Sequence, residues 1–507
     1  MADRTATVEP PATLVDSLAH LGPGIVLASS IVGSGELIAT TTTGAQAGFT
    51  LLWLILIGCV IKVAAQVEIG RATLTWGRTS LDAFDRVPGP RLAGRGWIYW
   101  AWGVMTALII VQQGGIVAGV AQTLAAGMPL TAAGRHWNAA HDEAAGLVVA
   151  EAAARRSGDA AAADRLAVNL ADARAAAAAL PAPPDEATWC LITGLVTAGL
   201  LALGRYRLIE RVSLVLVGTF TAVTLLALVM LQLDGAWAIT GRELAGGLVP
   251  GLPPAAAGRS PLVTALATFG IIGVGASELM IYPYWCLEKG YAAAVGPRDE
   301  SPAWAERARG WLRVMQLDAW VSMLVYTLVT VCFYLLGAAT LGRLCLVPAG
   351  GEMVRTLGAM YAPVFGSWAS AAFLVGAFAV LYSTLFVAAA GNARMVADGL
   401  ILAGILTADD RSRAAWAKRI SVGWVLVAAI LAVAVNQPVA MVLASGIAQS
   451  VMLAAIGVAV VYFRWWQADP RLAPSREWDG LLAVSVAGLV AVGAWTLGER
   501  LLQAMGR

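Results

Sequence analysis

The sequence predicts an all-α membrane protein that crosses the bilayer about eleven times. Of its 507 residues, 59% are hydrophobic and only 13% are charged, which leaves too little polar side-chain area to cover a water-soluble domain of this length. Many apolar runs reach the roughly 20 residues that a helix needs to cross the hydrocarbon core. Two of the runs are interrupted by small residues followed by a glutamate, a pattern that is typical of the broken helices of secondary transporters.

The apolar runs define the predicted spans and their orientation. The spans are 22–43, 51–69, 97–125, 187–204, 211–232, 261–284, 314–338, 366–390, 419–435, 439–463 and 479–497. If the N-terminus is cytoplasmic, the cytoplasmic side holds 22 of the 34 Lys and Arg residues, as the positive-inside rule requires. We therefore expect an integral protein of the cytoplasmic (inner) membrane with its N-terminus inside and its C-terminus outside.

Two segments outside the spans differ in composition from the rest. Residues 1–21 form a polar N-terminal segment without a signal-peptide pattern, which we expect in the cytoplasm. Residues 127–186 are rich in alanine with interspersed charges and predict an external insertion of two helices, separated at Gly158 and Asp159. The sequence leaves three roles open for this insertion: it binds a partner, it forms a lid over the entrance, or it has no function.

The two interruptions are Gly33-Ser34-Gly35-Glu36 in the first span and Gly275-Ala276-Ser277-Glu278 in the sixth. A carboxylate near the middle of a bilayer costs roughly 2.5 to 3.5 kcal/mol on insertion scales, so it persists where a cation, a proton or water compensates it. Small residues that break a membrane helix also free backbone groups, which a lined cavity or a bound ion can satisfy. Together these features predict a substrate site.

The positions of the two broken spans predict an inverted repeat. Because each repeat holds five spans, the second repeat, 261–463, is upside down relative to the first, 22–232, and 479–497 is an extra span. The two carboxylates would supply two negative charges, which a divalent cation would neutralise. We expect further oxygen atoms from Gly33, Ser34, Val274 and Ser277, as backbone carbonyls or hydroxyls.

A purely structural interpretation is also open. Glu36 would then pair with Lys62 of the second span, and Glu278 would stay protonated. Alternatively, Lys62 lies near enough to the cytoplasmic edge for its ammonium group to reach water, which we favour for a lone lysine in a span. The aromatic segment 282–285 is expected to anchor the sixth span at the membrane interface.

Four segments resemble the natural resistance-associated macrophage protein (Nramp) transporters of divalent metals. They are 21–24, which opens the first span, 44–53, the loop 205–211 and the segment 247–253 before the sixth span, and they occur in the order found in that family. The resemblance covers most of the chain. It implies a leucine-transporter-type fold with a five-plus-five inverted repeat and an extra span, as the positions of the broken spans also indicate.

The chain departs from the family in its metal-binding motifs. The family motif of the first span, Asp-Pro-Gly-Asn, aligns with residues 33–36. The family motif of the sixth span is Met-Pro-His-Asn; its methionine aligns with Ser277 and its proline with Glu278. An all-oxygen site suits hard ions such as Mg²⁺, Ca²⁺ or Mn²⁺ better than softer transition metals. In this respect the chain resembles the magnesium-transporting relatives of the family more than its iron and manganese transporters.

The resemblance also suggests accessory residues and casts doubt on proton coupling. Family members carry protons on acidic groups of the third span and a histidine of the sixth, whereas this third span has Gln112 and Gln113 and this sixth span has no histidine. Gln449 resembles a family glutamine that approaches the metal. Ser383 and Thr384 in the eighth span are candidates for a second cation site of the sodium type, although such hydroxyls more often bond to helix carbonyls.

The predicted function is therefore a secondary transporter or facilitator of divalent cations. The alternatives are a sodium- or proton-coupled transporter of a small organic substrate such as an amino acid, and a non-transporting membrane sensor or enzyme. The sequence shows neither a nucleophile and base pair nor a phosphate loop, so it gives no support to an enzyme. The cation is the substrate, so no cofactor is expected; the other partner is the lipid bilayer. The net charge of +2 gives no reason to expect a nucleic acid, and the sequence does not specify an oligomeric state.

Overall fold

The computed structural model describes residues 7–203, 206–235, 237–253, 261–407 and 409–505. In this part of the chain, ten helices are long and apolar enough to cross a membrane, and the helix at the predicted fifth span has a shorter apolar stretch, Val217–Leu231. Every predicted span thus coincides with an apolar helix. Residue 205 of the loop that resembles the Nramp family lies outside the described residues.

The helices run in the predicted order, and several extend beyond the apolar runs. Those without a break at the membrane centre are Leu52–Trp76, Trp97–Gly127, Asp185–Leu203, Tyr206–Leu231, Pro302–Leu336, Ala369–Leu402, Asp410–Val435, Pro438–Tyr462 and Arg476–Ala504. Shorter helices are Leu14–His20, Ser80–Asp85, Gly241–Leu248, Tyr291–Val295 and Met353–Gly358, and the strands Arg91–Leu92 and Arg95–Gly96 pair in an antiparallel hairpin.

The segment between the third and fourth spans forms the two helices that its composition predicts. Ala132–Ser157 ends at Gly158, whose φ of +79° suits a glycine, and Ala160–Ala179 begins after Asp159, whose side chain accepts a hydrogen bond from the backbone N–H of Ala162 at 2.9 Å. Asp142 of the first of these helices pairs with Arg355, in the connection between the seventh and eighth spans, at 2.8 Å. The insertion therefore packs against the face that this connection occupies.

A second group of contacts joins the N-terminal segment and two connections at the other face. The backbone N–H of Val8 donates to the carbonyl of Ala294 at 3.0 Å, which ties the N-terminal segment to the connection after the sixth span. Asp469, in the connection after the tenth span, pairs with Arg298 at 3.0 Å and Arg471 at 2.8 Å. The N-terminal segment and these two connections therefore share one face of the molecule.

The Asp469 cluster predicts a pH-dependent stability. The hydrogen bond from Arg471 holds the pKa of Asp469 at about 2, below the value of about 3.9 expected in an unfolded chain. Because the folded pKa is the lower one, the stabilisation is complete above pH 4 and is lost as the pH falls towards 2. Since Arg298 and Arg471 are partly exposed, we expect Asp469→Asn to lower the free energy of unfolding by about 1 kcal/mol at pH 7.

Thermal unfolding in detergent between pH 7 and pH 3 measures this effect. The difference in midpoint between the wild type and Asp469→Asn is expected to narrow below pH 4. Asp164→Asn, on an exposed part of the insertion, is the matched control and is expected to leave the midpoint unchanged. A difference that is constant over the whole pH range would contradict the assigned role of the carboxylate charge.

Glycine contacts bring the broken spans close to their neighbours. A methyl group at Gly270, in the sixth span, would stand 2.1 Å from the carbonyl oxygen of Gly446 in the tenth. One at Gly44, in the first span, would stand 2.4 Å from the carbonyl oxygen of Tyr334 in the seventh. Only glycine permits such approach of two membrane helices. The broken spans are thereby held at fixed positions at the centre of the bundle.

Candidate functional site

Both predicted helix breaks are present. The first span is helical over Pro23–Ile31, is interrupted at Val32 and Gly33, and resumes as a π-helix over Ser34–Thr40 that continues as Thr41–Ala47. The sixth span consists of the half-helices Pro261–Ile271 and Ala276–Lys289. Its break therefore lies at residues 272–275, slightly before the predicted position, and Glu278 lies in the first turn of the second half-helix.

A small cavity lies where the two breaks face the third and eighth spans. Its volume is about 20 Å³, enough for a single water-sized species. Its lining has one charged side chain among the described residues, that of Glu278, together with hydroxyl and amide groups. The lining residues are Ser30, Ile31, Ser34, Gly35, Ile109, Gln112, Gln113, Ile116, Ile271, Ser277, Glu278, Thr384, Ala388 and Asn392.

Glu278 and Gln449 direct oxygen atoms towards the same space. A methyl group placed at Gly275 would stand 2.4 Å from Oε2 of Glu278 and 2.7 Å from Oε1 of Gln449. The same Gln449 oxygen accepts a hydrogen bond from the backbone N–H of Ser277 at 3.3 Å, and Nε2 of Gln449 donates to Oε1 of Gln112 at 3.0 Å. Gly275 thus leaves room for two side-chain oxygen atoms at the start of a half-helix, where the helix dipole stabilises the carboxylate.

Glu36 does not line the cavity. It is completely buried, and its Oε1 accepts a hydrogen bond from the hydroxyl of Thr330 in the seventh span at 3.0 Å. Its Oε2 has no hydrogen-bond partner among the described residues. Glu278, in contrast, is partly accessible. The two carboxylates therefore have different surroundings, and only Glu278 reaches the cavity directly.

The other predicted residues divide into those that line the cavity and those that support it. Gly33 and Val274 are buried in the two breaks and do not line it. A methyl group at Gly33 would stand 1.6 Å from Oγ1 of Thr384. The hydroxyl of Ser383 donates to the carbonyl of Val380 at 2.9 Å, and that of Thr384 donates to the carbonyl of Ser30 at 3.2 Å. These hydroxyls therefore bond to helix carbonyls of the first and eighth spans.

Lys62 neither reaches the membrane edge nor pairs with Glu36, so both expectations for it are wrong. Its side chain is completely buried, and it makes no ion pair within 4.0 Å in the described part of the chain. Its Nζ donates instead to the carbonyls of Phe269 and, at 2.9 Å, Ile272. It is close enough to both Glu36 and Glu278 to interact with them electrostatically. If all three groups are ionised, the net charge of this region is therefore minus one, not the minus two that the carboxylates alone predict.

The aromatic segment 282–285 is not an interface anchor either. Tyr282 and Tyr284 are buried, and their hydroxyls donate to the carboxylates of Asp318 at 3.0 Å and Asp398 at 2.8 Å. Asp318 also accepts hydrogen bonds from the backbone N–H groups of Gly22 and Gly24 at the start of the first span. The second half of the sixth span is thereby fixed to the first, seventh and eighth spans.

Comparison with known proteins decides the family. The family model described as natural resistance-associated macrophage protein-like (Nramp) matches residues 144–496, which is more than half of the chain. This chain belongs to the Nramp-like family. The family is one of transporters, not of enzymes, so the expectation that the chain is not an enzyme is confirmed. No curated protein matches this Nramp-like chain by sequence.

Solved structures show the fold of this Nramp-like chain. It is similar to an Eremococcus coleocola manganese transporter mutant, H236A, with a TM-score of 0.61 and 15% identity over 100% of this chain and 92% of the other. It is also similar to MhsT in complex with L-phenylalanine, with a TM-score of 0.50 and 15% identity over 96% of this chain and 99% of the other. At this identity the likeness shows the fold alone. The predicted leucine-transporter-type fold is confirmed.

Three polar residues around the site of this Nramp-like chain were missed in the sequence. Asn392 and Ser30 line the cavity, and Thr330 donates to Glu36. Asn392 has no clear signal in the sequence, because it follows the predicted eighth span, 366–390, and only the structure shows that the helix Ala369–Leu402 continues past it. Oδ1 of Asn392 has no hydrogen-bond partner among the described residues. Nothing local distinguishes Ser30 and Thr330 from the many hydroxyls that bond to their own helix.

Proposed function

We propose that this Nramp-like chain is a secondary transporter or facilitator of divalent metal cations, with hard ions such as Mg²⁺ or Mn²⁺ favoured. The proposed ion site is the cavity that Glu278 lines. The observation that carries the proposal is the chemistry of that lining. It combines one carboxylate with hydroxyl and amide oxygens from two helix breaks and two neighbouring spans.

The size of the cavity supports an ion over an organic substrate. A pocket for a drug-sized molecule has roughly 300 to 1,000 Å³, whereas this cavity has about 20 Å³. A single cation that has lost most of its water fits such a space, and an amino acid does not. The carboxylate of Glu278 further disfavours an anionic group at this position.

The ligand types support hard cations. Ser34, Ser277 and Glu278 offer oxygen atoms to the cavity, which the amide of Gln112 also lines. Oε1 of Gln449 lies on the same side of Gly275 as Oε2 of Glu278. The described lining residues include no Met, Cys or His. Oxygen ligands favour Mg²⁺, Ca²⁺ and Mn²⁺, and thioether or thiolate ligands favour softer metals. The Eremococcus coleocola neighbours are named as manganese transporters, which supports a divalent ion.

We propose that transport is weakly coupled or uncoupled to protons. The third span presents the neutral amides of Gln112 and Gln113 at the cavity, and Nε2 of Gln113 donates to the carbonyl of Leu385 at 3.0 Å. A side-chain amide neither gains nor loses a proton as the pH changes, so it cannot carry protons across the membrane. The membrane potential, worth roughly 2.3 kcal/mol per charge per 100 mV, is sufficient to drive a cation inwards.

In this proposal the N-terminus is cytoplasmic and the C-terminus lies outside.

Uptake into proteoliposomes tests the proposal. Purified protein is reconstituted, and the influx of Mg²⁺, Mn²⁺ and Ca²⁺ is followed at an imposed inside-negative potential with a pH indicator inside. We expect the uptake of Mg²⁺ or Mn²⁺ to be saturable. We also expect each of the two ions to inhibit the uptake of the other. The internal pH is expected to change far more slowly than the ion concentration.

Two results would change the proposal. Acidification that keeps a constant ratio to ion influx would establish proton coupling and overturn the facilitator version. Absence of divalent influx from monodisperse protein would overturn the substrate assignment. Amino-acid uptake under a sodium gradient would then be measured, because the organic-substrate alternative predicts that activity.

A further inference from the structure

The charge environment of Lys62 is unusual for a lysine inside a membrane. Its side chain is completely buried, in the middle of the helix Leu52–Trp76. A buried ammonium needs an anion or several acceptors, since the desolvation cost is otherwise large. The described residues provide no carboxylate within 4.0 Å of it, so its ammonium group depends on uncharged acceptors.

The surroundings of Nζ match the three N–H bonds of an ammonium group. One bond points to the carbonyl of Phe269, and a second to the carbonyl of Ile272 at 2.9 Å. The ring of Phe269 lies with its centroid 4.6 Å from Nζ, within the range of a cation–π interaction. Two carbonyl acceptors and a ring face suit an ammonium group, which has three donors and no acceptor.

These two carbonyls are exposed by the break in the sixth span. The first half-helix ends at Ile271, so its last carbonyls have no helical N–H partner. The end of a half-helix carries partial negative charge, and in transporters with broken helices such carbonyls coordinate the coupling cation. Lys62 therefore places a covalently attached positive charge at a position with the chemistry of a cation site.

The neighbouring sequence makes room for this arrangement. Gly58 lies one turn before Lys62 on the same helix, and a methyl group there would stand 2.9 Å from Cε2 of Phe269. The absence of a side chain at Gly58 lets the Phe269 ring lie against the second span, beside the ammonium group. The ring and the carbonyl of the same residue thus both face Lys62.

We propose that Lys62 is a built-in cation, which occupies a monovalent-cation site formed by the carbonyl oxygens of Phe269 and Ile272. Its ammonium group replaces a dissociable ion such as Na⁺ or K⁺. The protein then needs no monovalent ion to stabilise the broken sixth span. The fixed charge also lowers the net negative charge of the region around the cavity that Glu278 lines.

Thermal unfolding in detergent tests the proposal without relying on transport. Lys62→Ala and Lys62→Gln remove the charge and leave space, and Lys62→Met fills the space without a charge. Each protein is heated in NaCl, KCl or N-methylglucamine chloride at equal ionic strength. For the wild type we expect the same midpoint in all three salts.

The unfolding midpoints of the variants are expected to depend on the salt in different ways. Lys62→Ala and Lys62→Gln should unfold at lower temperature in N-methylglucamine, and Na⁺ or K⁺ should raise the midpoint by several degrees in a saturable manner. Lys62→Met should show no such response, because its side chain occupies the site. The proposal is overturned if neither Lys62→Ala nor Lys62→Gln responds to a monovalent cation, including the case in which neither folds in any salt.

A second readout connects the site to transport and does rest on the proposed function. Divalent uptake by the wild type should be equal in NaCl and in N-methylglucamine chloride. Uptake by Lys62→Ala should become dependent on Na⁺ or K⁺, and equal uptake in all three salts would count against the proposal. If no divalent uptake is seen with any protein, the substrate assignment fails, while the unfolding experiment still decides the role of Lys62.

Discussion

Glu278→Gln is expected to reduce divalent-cation uptake by about 100-fold or more. Among the described residues that line the cavity, Glu278 has the one charged side chain. Two unit charges 4 Å apart attract by about 4 kcal/mol at an effective dielectric constant of 20. Loss of about 3 kcal/mol of this attraction lowers affinity about 100-fold. Glutamine keeps the size of the side chain and one oxygen, so the change isolates the charge.

Initial rates of Mg²⁺ and Mn²⁺ uptake in proteoliposomes measure this effect over a range of ion concentrations. Glu477→Gln removes the same charge at an exposed position and serves as the matched control, with uptake expected to equal that of the wild type. Equal amounts of reconstituted, monodisperse protein are compared. Uptake by Glu278→Gln within a few-fold of the wild type would show that the ion does not depend on this carboxylate.

Glu36→Gln provides an informative contrast. Glu36 does not line the cavity, and its Oε1 is held by Thr330. Glutamine can still accept that hydrogen bond, so we expect a smaller effect on the concentration for half-maximal uptake than for Glu278→Gln. Equal effects of the two substitutions would instead indicate that both carboxylates bind one ion during transport.

Gly33→Ala is expected to prevent the first span from adopting its broken geometry. A methyl group at this position would stand 1.6 Å from Oγ1 and 2.6 Å from Cβ of Thr384, far inside van der Waals contact. The first and eighth spans would have to separate. The resulting loss of stability should exceed the roughly 1 to 3 kcal/mol of an ordinary overpacking substitution, because backbone on both sides must move.

The yield of monodisperse protein on size-exclusion chromatography and the unfolding midpoint in detergent measure this loss. Gly103→Ala, in the third span, is the control, since a methyl group there meets no atom within 4 Å and alanine favours the helix. The double variant Gly33→Ala/Thr384→Gly removes the clashing atoms and should recover much of the stability. A Gly33→Ala protein as stable as the wild type, or a double variant no better than the single one, would contradict this account.

The sequence by itself determined the class of protein, the positions of the apolar helices, the two broken helices and the helical insertion. Each of these depends on local properties: long apolar runs, clusters of small residues, or a glycine and a capping aspartate such as Gly158 and Asp159. It also placed Glu278, Ser34 and Ser277 together, because helix breaks at equivalent positions of two repeats meet at the centre of such a fold.

Only the tertiary structure decided which way the charged side chains point. Glu36 and Glu278 occupy similar sequence contexts, yet Thr330 of the seventh span binds the first, and the second faces the cavity. Lys62 could have extended to the membrane edge, but the carbonyls freed in the sixth span lie within its reach and bind it there. The direction of a side chain beside an unwound helix cannot be predicted from its position in the sequence. Its direction depends on partners that are hundreds of residues away, and only folding brings them together.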